Sequence, residues 1–192
     1  MASMVATEVI AQPHWRAVGS QVVEALAAPA TADAAQGAQP IGDGLALISA
    51  SARLLEPQRP AAWPAWAPTT PLTSSLEVRL TWLARARPRF DWAVSVRAMR
   101  GGQALRDGDH LLQFDARHPV AGLYPTSAWV SNEQVMDVYR LPLPTGAQPD
   151  AAQIVIYRQL DSGAFENLAQ IEAPLTPGES APFTISAGPA AP

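Results

Sequence analysis

The stretch DARHPVAGLYPTSAWVSNEQVMDVYRLPLP, Asp115 to Pro144, decides the fold, because it reads as a fixed corner between two β-strands. Pro119, Gly122 and Pro125 punctuate its first half, and Tyr124 and Trp129 supply large apolar bodies. From Val135 to Leu143 the pattern becomes that of a strand ended by proline. The roles follow from the residue types. Pro119 and Pro125 set the path, Trp129 seals the end of a sandwich, and Asp137 accepts hydrogen bonds from loop backbone N–H groups.

Outward from the corner the same period of two recurs. Leu76, Val78, Leu80 and Trp82 alternate with Glu77, Arg79 and Thr81, while Trp92, Val94, Val96 and Ala98 alternate with Ala93, Ser95 and Arg97. Further strands are predicted over Leu45–Ser51, Leu111–Asp115, Val135–Leu141, Gln153–Leu160, Phe165–Ile171 and Phe183–Ala187. About eight short strands with Gly- or Pro-bearing breaks and no interleaved helices argue for an all-β antiparallel sandwich or barrel over residues 41–187. Pro57 to Pro71, with five prolines in fifteen residues, is excluded from an interior strand. It is expected to cross the surface, pinned by Trp63 and Trp66.

Ahead of this domain the pattern is helical. Residues 1–12 are expected to be disordered, and residues 13–28 form one amphipathic helix with Trp15, Val18, Val22 and Leu26 on its apolar stripe. Arg16 alone is basic on the polar face, which favours packing on a protein over lying on a membrane. Residues 29–40, PATADAAQGAQP, read as a flexible linker, and residues 188–192 as a loose tail.

Composition excludes several chemistries. The net charge of −4 offers no basic field for nucleic acid or an anionic membrane, and all the cationic side chains are arginine. Cysteine is absent, which removes disulfides, thiolate nucleophiles and zinc ribbons. No apolar run of membrane-spanning length occurs, and the start carries no signal-peptide pattern, so a cytoplasmic location stays open.

Catalytic signatures are equally scarce. His14, His110 and His118 lack metal-ligand spacing, although Asp107, Asp109 and Asp115 lie near the last two. Asp107-Gly108-Asp109 falls short of a calcium loop, and a hairpin turn after Gly101-Gly102 is the better account. GxSxG, Walker, GxGxxG and HExxH motifs are missing. The residues thus point to a non-catalytic protein with no cofactor and no metal. An enzyme would need Asp107, Asp109, Asp115 and His118 to converge in one cleft. Aromatics are the other candidates: Trp63, Trp66, Tyr124 and Trp129 sit in proline-rich loops, where they either plug the sandwich ends or stack on a glycan.

The ordered set EVRLTW (77–82), DWAVSVRAM (91–99), QFDARHPVAG (113–122), YPTSAW (124–129), EQVMDVYRLPLP (133–144) and IVIYRQLDSG (154–163) resembles the soluble β-sandwich domain behind the membrane part of some bacterial glycosyltransferase-like proteins. The likeness covers about residues 42 to 175, and its corner matches at Asp115, Pro119, Gly122, Pro125, Thr126, Trp129 and Asp137. It departs at the closing strand, where Ile156 and Arg158 flank Tyr157 in place of glycine and an acidic residue. The resemblance implies an immunoglobulin-like or jelly-roll sandwich that is non-catalytic and extracytoplasmic or membrane-associated. It does not carry the transferase activity across. The expected function is an accessory module for protein–protein assembly, docked on a protein partner such as a membrane complex through Trp15, Val18, Val22 and Leu26. Substituting Trp15 and Val22 by Asp should then abolish partner recovery without changing the melting of the sandwich. The alternative is a carbohydrate-binding module using Trp63, Trp66, Tyr124 or Trp129.

Overall fold

The computed structural model describes residues 27–56, 73–175 and 183–187. Its elements are β1 (Ala27–Pro29), α1 (Ala32–Gly37), β2 (Gln39–Gly42), β3 (Leu45–Leu55), β4 (Ser75–Ala84), β5 (Ala93–Arg100), β6 (Gln103–Ala104), β7 (Arg106–Asp107), β8 (His110–Leu111), β9 (Gln113–Ala116), β10 (Glu133–Pro142), β11 (Ala151–Gln159), β12 (Phe165–Pro174) and β13 (Thr184–Ala187). The fold is all-β. One antiparallel sheet runs β1-β10-β4-β3-β2 and a second β13-β12-β11-β5-β6, with β9 also on β5; β7 and β8 form a small hairpin.

Alternation decides which side chains meet. Val135, Asp137, Tyr139 and Leu141 of β10 point inward, and Met136, Val138 and Arg140 outward. They join Leu76, Val78, Leu80 and Trp82 of β4 against Val94, Val96, Ile154, Ile156 and Ile171 of the second sheet in one buried cluster. Burying such side chains contributes roughly 1.5–3 kcal/mol each, which makes this shared layer the main source of stability. Among the described residues the chain crosses between the sheets from β4 to β5, returns at the Asp115–Pro144 corner, and crosses again from β10 to β11.

The corner is built as its residue types require. Trp129 is fully buried, with its ring 6.4 Å from Trp82 and 5.9 Å from Tyr124. Thr126 donates to the Phe90 carbonyl at 2.7 Å and accepts from the Trp92 N–H at 3.0 Å, tying the corner to the start of β5. Val120 and Ala121 take positive φ of 57° and 54°, an unfavourable conformation that is hardest for β-branched valine. The Asp137 carboxylate accepts the Val120 N–H at 3.0 Å and offsets that cost. The Tyr139 hydroxyl donates to its other oxygen. Burial pushes the Asp137 carboxyl up to about 6, against the lowering effect of the Tyr139 and Val120 donors. The Trp82 indole N–H acts in the same direction as those donors without a hydrogen bond of normal geometry. Asp115 takes no part in this network: it lies exposed on β9, where Gln113 Nε2 donates to it at 3.0 Å.

Two expectations change at the N-terminal side. Residues 29–40 are not a flexible linker. Thr31 caps α1 through Ala34 N–H at 3.3 Å, β1 pairs with Glu133–Val135 of β10, and β2 pairs with β3. The segment is small-residue-rich because it packs closely: Ala30 and Ala35 lie with buried Ala38 against Ala46, Ile48 and Leu83 on the outside of the first sheet. Arg85 donates to the Ala35 and Ala38 carbonyls at 3.1 and 2.7 Å. Among the described residues the β domain therefore already includes Ala27, ahead of Ile41, and Ala27 and Ala28 are strand residues, not the end of a helix. Trp15, Val18, Val22 and Leu26 lie outside the described residues, as do Trp63 and Trp66, the rest of the Pro57–Pro71 crossing and residues 188–192.

The glycine turns match expectation. Gly101 and Gly102, with φ of 55° and 76°, make the two-residue turn between β5 and β6, and Gly108 turns the β7–β8 hairpin at φ 57°. Asp43, in the β2–β3 turn, clamps the next loop. It accepts from Trp92 Nε1 at 2.8 Å and from the Arg89 and Phe90 N–H groups. Burial opposes its ionisation, but these donors and the Arg89 guanidinium outweigh that and lower its pKa.

Candidate ligand groove on the second sheet

The outward face of the second sheet carries two adjoining clefts, of about 850 and about 410 Å³, which share Asp115, Tyr157 and Phe165 along their common wall. Strand pairing explains how these side chains come together. Tyr157 of β11 stands opposite Ala93 of β5 and Asn167 of β12, and Ser95 opposite Asp115 of β9 and Val155 of β11. One irregularity completes the set. Ile156 pairs with Ala169 but Tyr157 with Asn167, so Leu168 is an extra residue in β12. The bulge reverses the parity of β12. Phe165 and Asn167 thereby share the groove side with Gln170, where a regular strand would have turned them into the core.

The lining is aromatic and polar at once. Tyr157 and Phe165 meet edge to face with centroids 5.6 Å apart, and Phe165 is 64% exposed. Burial raises the Tyr157 pKa, the Asp115 charge raises it further and Arg97 opposes both, so the hydroxyl stays neutral and free to donate or accept. At the wide end, Arg158 lies 3.5 Å over the Phe90 ring and pairs with Glu166, which fixes that wall. Four polar atoms along the clefts are buried with no hydrogen-bond partner among the described residues: Ser95 Oγ, Arg97 Nε, Gln113 Oε1 and His118 Nδ1. Such groups cost free energy unless a ligand or solvent meets them.

The groove gathers some predicted residues and leaves others out. Asp115 and His118 both line its wide end, beside Asp91 and Arg117, whereas Asp107 and Asp109 stand on the separate β7–β8 hairpin. The four side chains therefore do not meet in one cleft. Among the described residues no group of three His, Asp or Glu side chains is placed to hold a metal. Trp129 is a plug: with no exposed surface it offers no face to a glycan. Tyr124 is half-buried, and its hydroxyl donates to Glu133 at 3.0 Å. Burial first, and then the Glu133 carboxylate, pushes that phenol up to about 12. Pro119, Gly122, Pro125 and Trp129 lie in the connection between β9 and β10, and Asp137 of β10 accepts the Val120 N–H from it. Sequence reasoning missed Tyr157 and Phe165 as a pair, since each looked like an ordinary strand residue.

No family model, curated protein or solved structure matches the chain. Among the described residues no helix is long and apolar enough to cross a membrane.

Proposed function

We propose that the chain is a non-catalytic accessory β-sandwich module that binds a carbohydrate along the outward groove of its second sheet. The observation that carries this reading is the coincidence of four buried polar atoms, unpartnered among the described residues, with an exposed aromatic pair at the junction of two adjoining clefts. A hydroxyl-rich ring suits both halves of that lining, its apolar face against Tyr157 and Phe165 and its hydroxyls toward Ser95, Arg97, Gln113 and His118. The glycan reading thus moves from the loop aromatics to the strands. Its test is a glycan array probed with the wild-type chain and with a Tyr157→Ala/Phe165→Ala variant of unchanged melting temperature. Retention on particular glycans that falls roughly tenfold or more in the variant is expected. No retention, or retention indifferent to the two substitutions, refutes the reading.

Assembly on a protein partner through Trp15, Val18, Val22 and Leu26 is a second reading. It draws support from β1, which fastens Ala27 to Val135 at the border of the first sheet, next in the chain to Leu26. Partner recovery with Trp15→Asp and Val22→Asp tests it, undiminished recovery being the refuting result. An immunoglobulin-like order suits the arrangement in which β3-β4-β10 faces β9-β5-β11-β12. An extracytoplasmic location belongs to the same proposal, and a fusion to an enzyme active only outside the cytoplasm tests it, a silent reporter being the outcome that sinks it.

A further inference from the structure

On the opposite, outward face of the first sheet, Arg53, Glu77 and Arg140 stand in one row across β3, β4 and β10, directly paired in register. Arg79 follows two residues along β4 on the same side. Glu77 is fully buried beneath these side chains. Its Oε1 accepts from Arg53 Nε and Arg79 Nε, each at 2.8 Å, and its Oε2 from Arg140 Nε at 3.0 Å, while Arg53 Nη2 completes an ion pair with Oε1 at 2.6 Å. Burial opposes ionisation of Glu77, but the three guanidinium groups overcome it and hold the carboxyl down at about 2.

One carboxylate thus orders three cations and neutralises only one of them. Among the described residues this row carries an excess of two positive charges, on a chain whose net charge is −4. Arg79 and Arg140 are anchored by Nε alone, with side chains 55% and 66% exposed, and their Nη groups form no hydrogen bond among the described residues. Guanidinium forks held in this way have already lost much of the side-chain entropy that binding would otherwise cost. Their planar donors match a tetrahedral oxoanion in pairs. Val138 pairs in register with Arg79 and is 41% exposed, so an apolar shoulder adjoins the charges.

We propose that Arg53, Arg79 and Arg140, ordered by Glu77, form an oxoanion site for the ester sulfate or ester phosphate groups of a polymeric ligand. The site uses none of the groove residues and stands whether or not the groove binds a glycan. The probes are sodium sulfate and sodium phosphate, titrated against sodium chloride at matched ionic strength while the arginine Nε–Hε resonances are followed in the full chain. Saturable shifts of these three arginines with sulfate or phosphate, absent with chloride, are expected. An Arg79→Gln/Arg140→Gln variant should weaken binding about tenfold or more, and Arg79→Lys/Arg140→Lys, which keeps the charge but loses the fork, should fall between. The Tyr157→Ala/Phe165→Ala variant should bind as wild type. Retention on dextran sulfate over phosphorylated dextran, which carries phosphate esters on the same backbone, then assigns sulfate, and the reverse assigns phosphate. Linear shifts equal to those with chloride, or binding indifferent to both arginine variants, overturn the proposal. If the glutamine variant fails to fold, the lysine variant decides the outcome alone, wild-type binding by it being the refuting result.

Discussion

Replacing Asp137 by Asn should remove a pH dependence that the wild-type fold carries in its core. Asp137 lies inward on β10, with the Val120 N–H and the Tyr139 hydroxyl on its two oxygens. Its carboxyl is lifted from 3.8 to about 6, and burial is the dominant cause. A carboxyl raised on folding binds its proton more tightly in the folded chain than in the unfolded one. Its contribution to stability is therefore greatest below 3.8, falls as the pH rises through about 6, and is then lower by roughly 3 kcal/mol. Asparagine imitates the neutral acid: its oxygen can accept the Val120 N–H and its amide can donate to the Tyr139 oxygen. Urea unfolding of both chains across this range is the assay, and their difference cancels every other titrating group. The two should agree below 3.8, and the variant should be the more stable above about 6 by up to that amount. A constant difference across the whole range would refute the reasoning, since the lifted carboxyl predicts a slope that only the wild type shows.

Glu77→Gln should act with the opposite sign. Its pKa is lowered from 4.5 to about 2, so the stability it contributes is fully present above 4.5 and lost as the pH falls through 2. The half-exposed arginines reduce that contribution by solvent screening to about 1–2 kcal/mol, and chemical unfolding should find the variant weaker by that amount at neutral pH and level with wild type near the acid limit. Gly44→Ala should lower the melting temperature, because Gly44 has φ 77° and an added Cβ would sit 2.7 Å from the Ala86 carbonyl oxygen. The cost should be about 1–3 kcal/mol, while Gly101→Ala, with the same backbone hand but open space around it, should cost less.

The alternation of Leu76 to Trp82, of Val94 to Ala98 and of Val135 to Leu141 was legible, because one buried face imposes a period of two. The corner was legible through residue types with few roles: a buried Trp129, two prolines and a carboxylate at Asp137. Residues 27–42 were not, since alanine at a tight contact and alanine in a linker look alike in sequence. The groove was hidden for a different reason. Tyr157 and Phe165 become neighbours only through the extra residue at Leu168, and a bulge leaves no mark on hydropathy. Trp129 and Tyr124 were ambiguous because a proline-rich loop can present an aromatic ring either outward or inward, and only packing decides.

The segment from Ala27 to Gly42 reaches both borders of the first sheet, β1 beside β10 and β2 beside β3. Unpaired strand borders are where chains recruit one another into open-ended stacks. A single stretch of sequence thus blunts both sides of one sheet, and a chain cut back to Ile41 would lose β1, α1 and half of β2 together. Such a chain would leave β10 without a neighbour on one side and β3 with only half of one, both open to pairing with another copy. Any measurement of partners made with that shortened chain would confuse loss of a docking element with polymerisation, whereas a cut before Ala27 leaves the borders guarded.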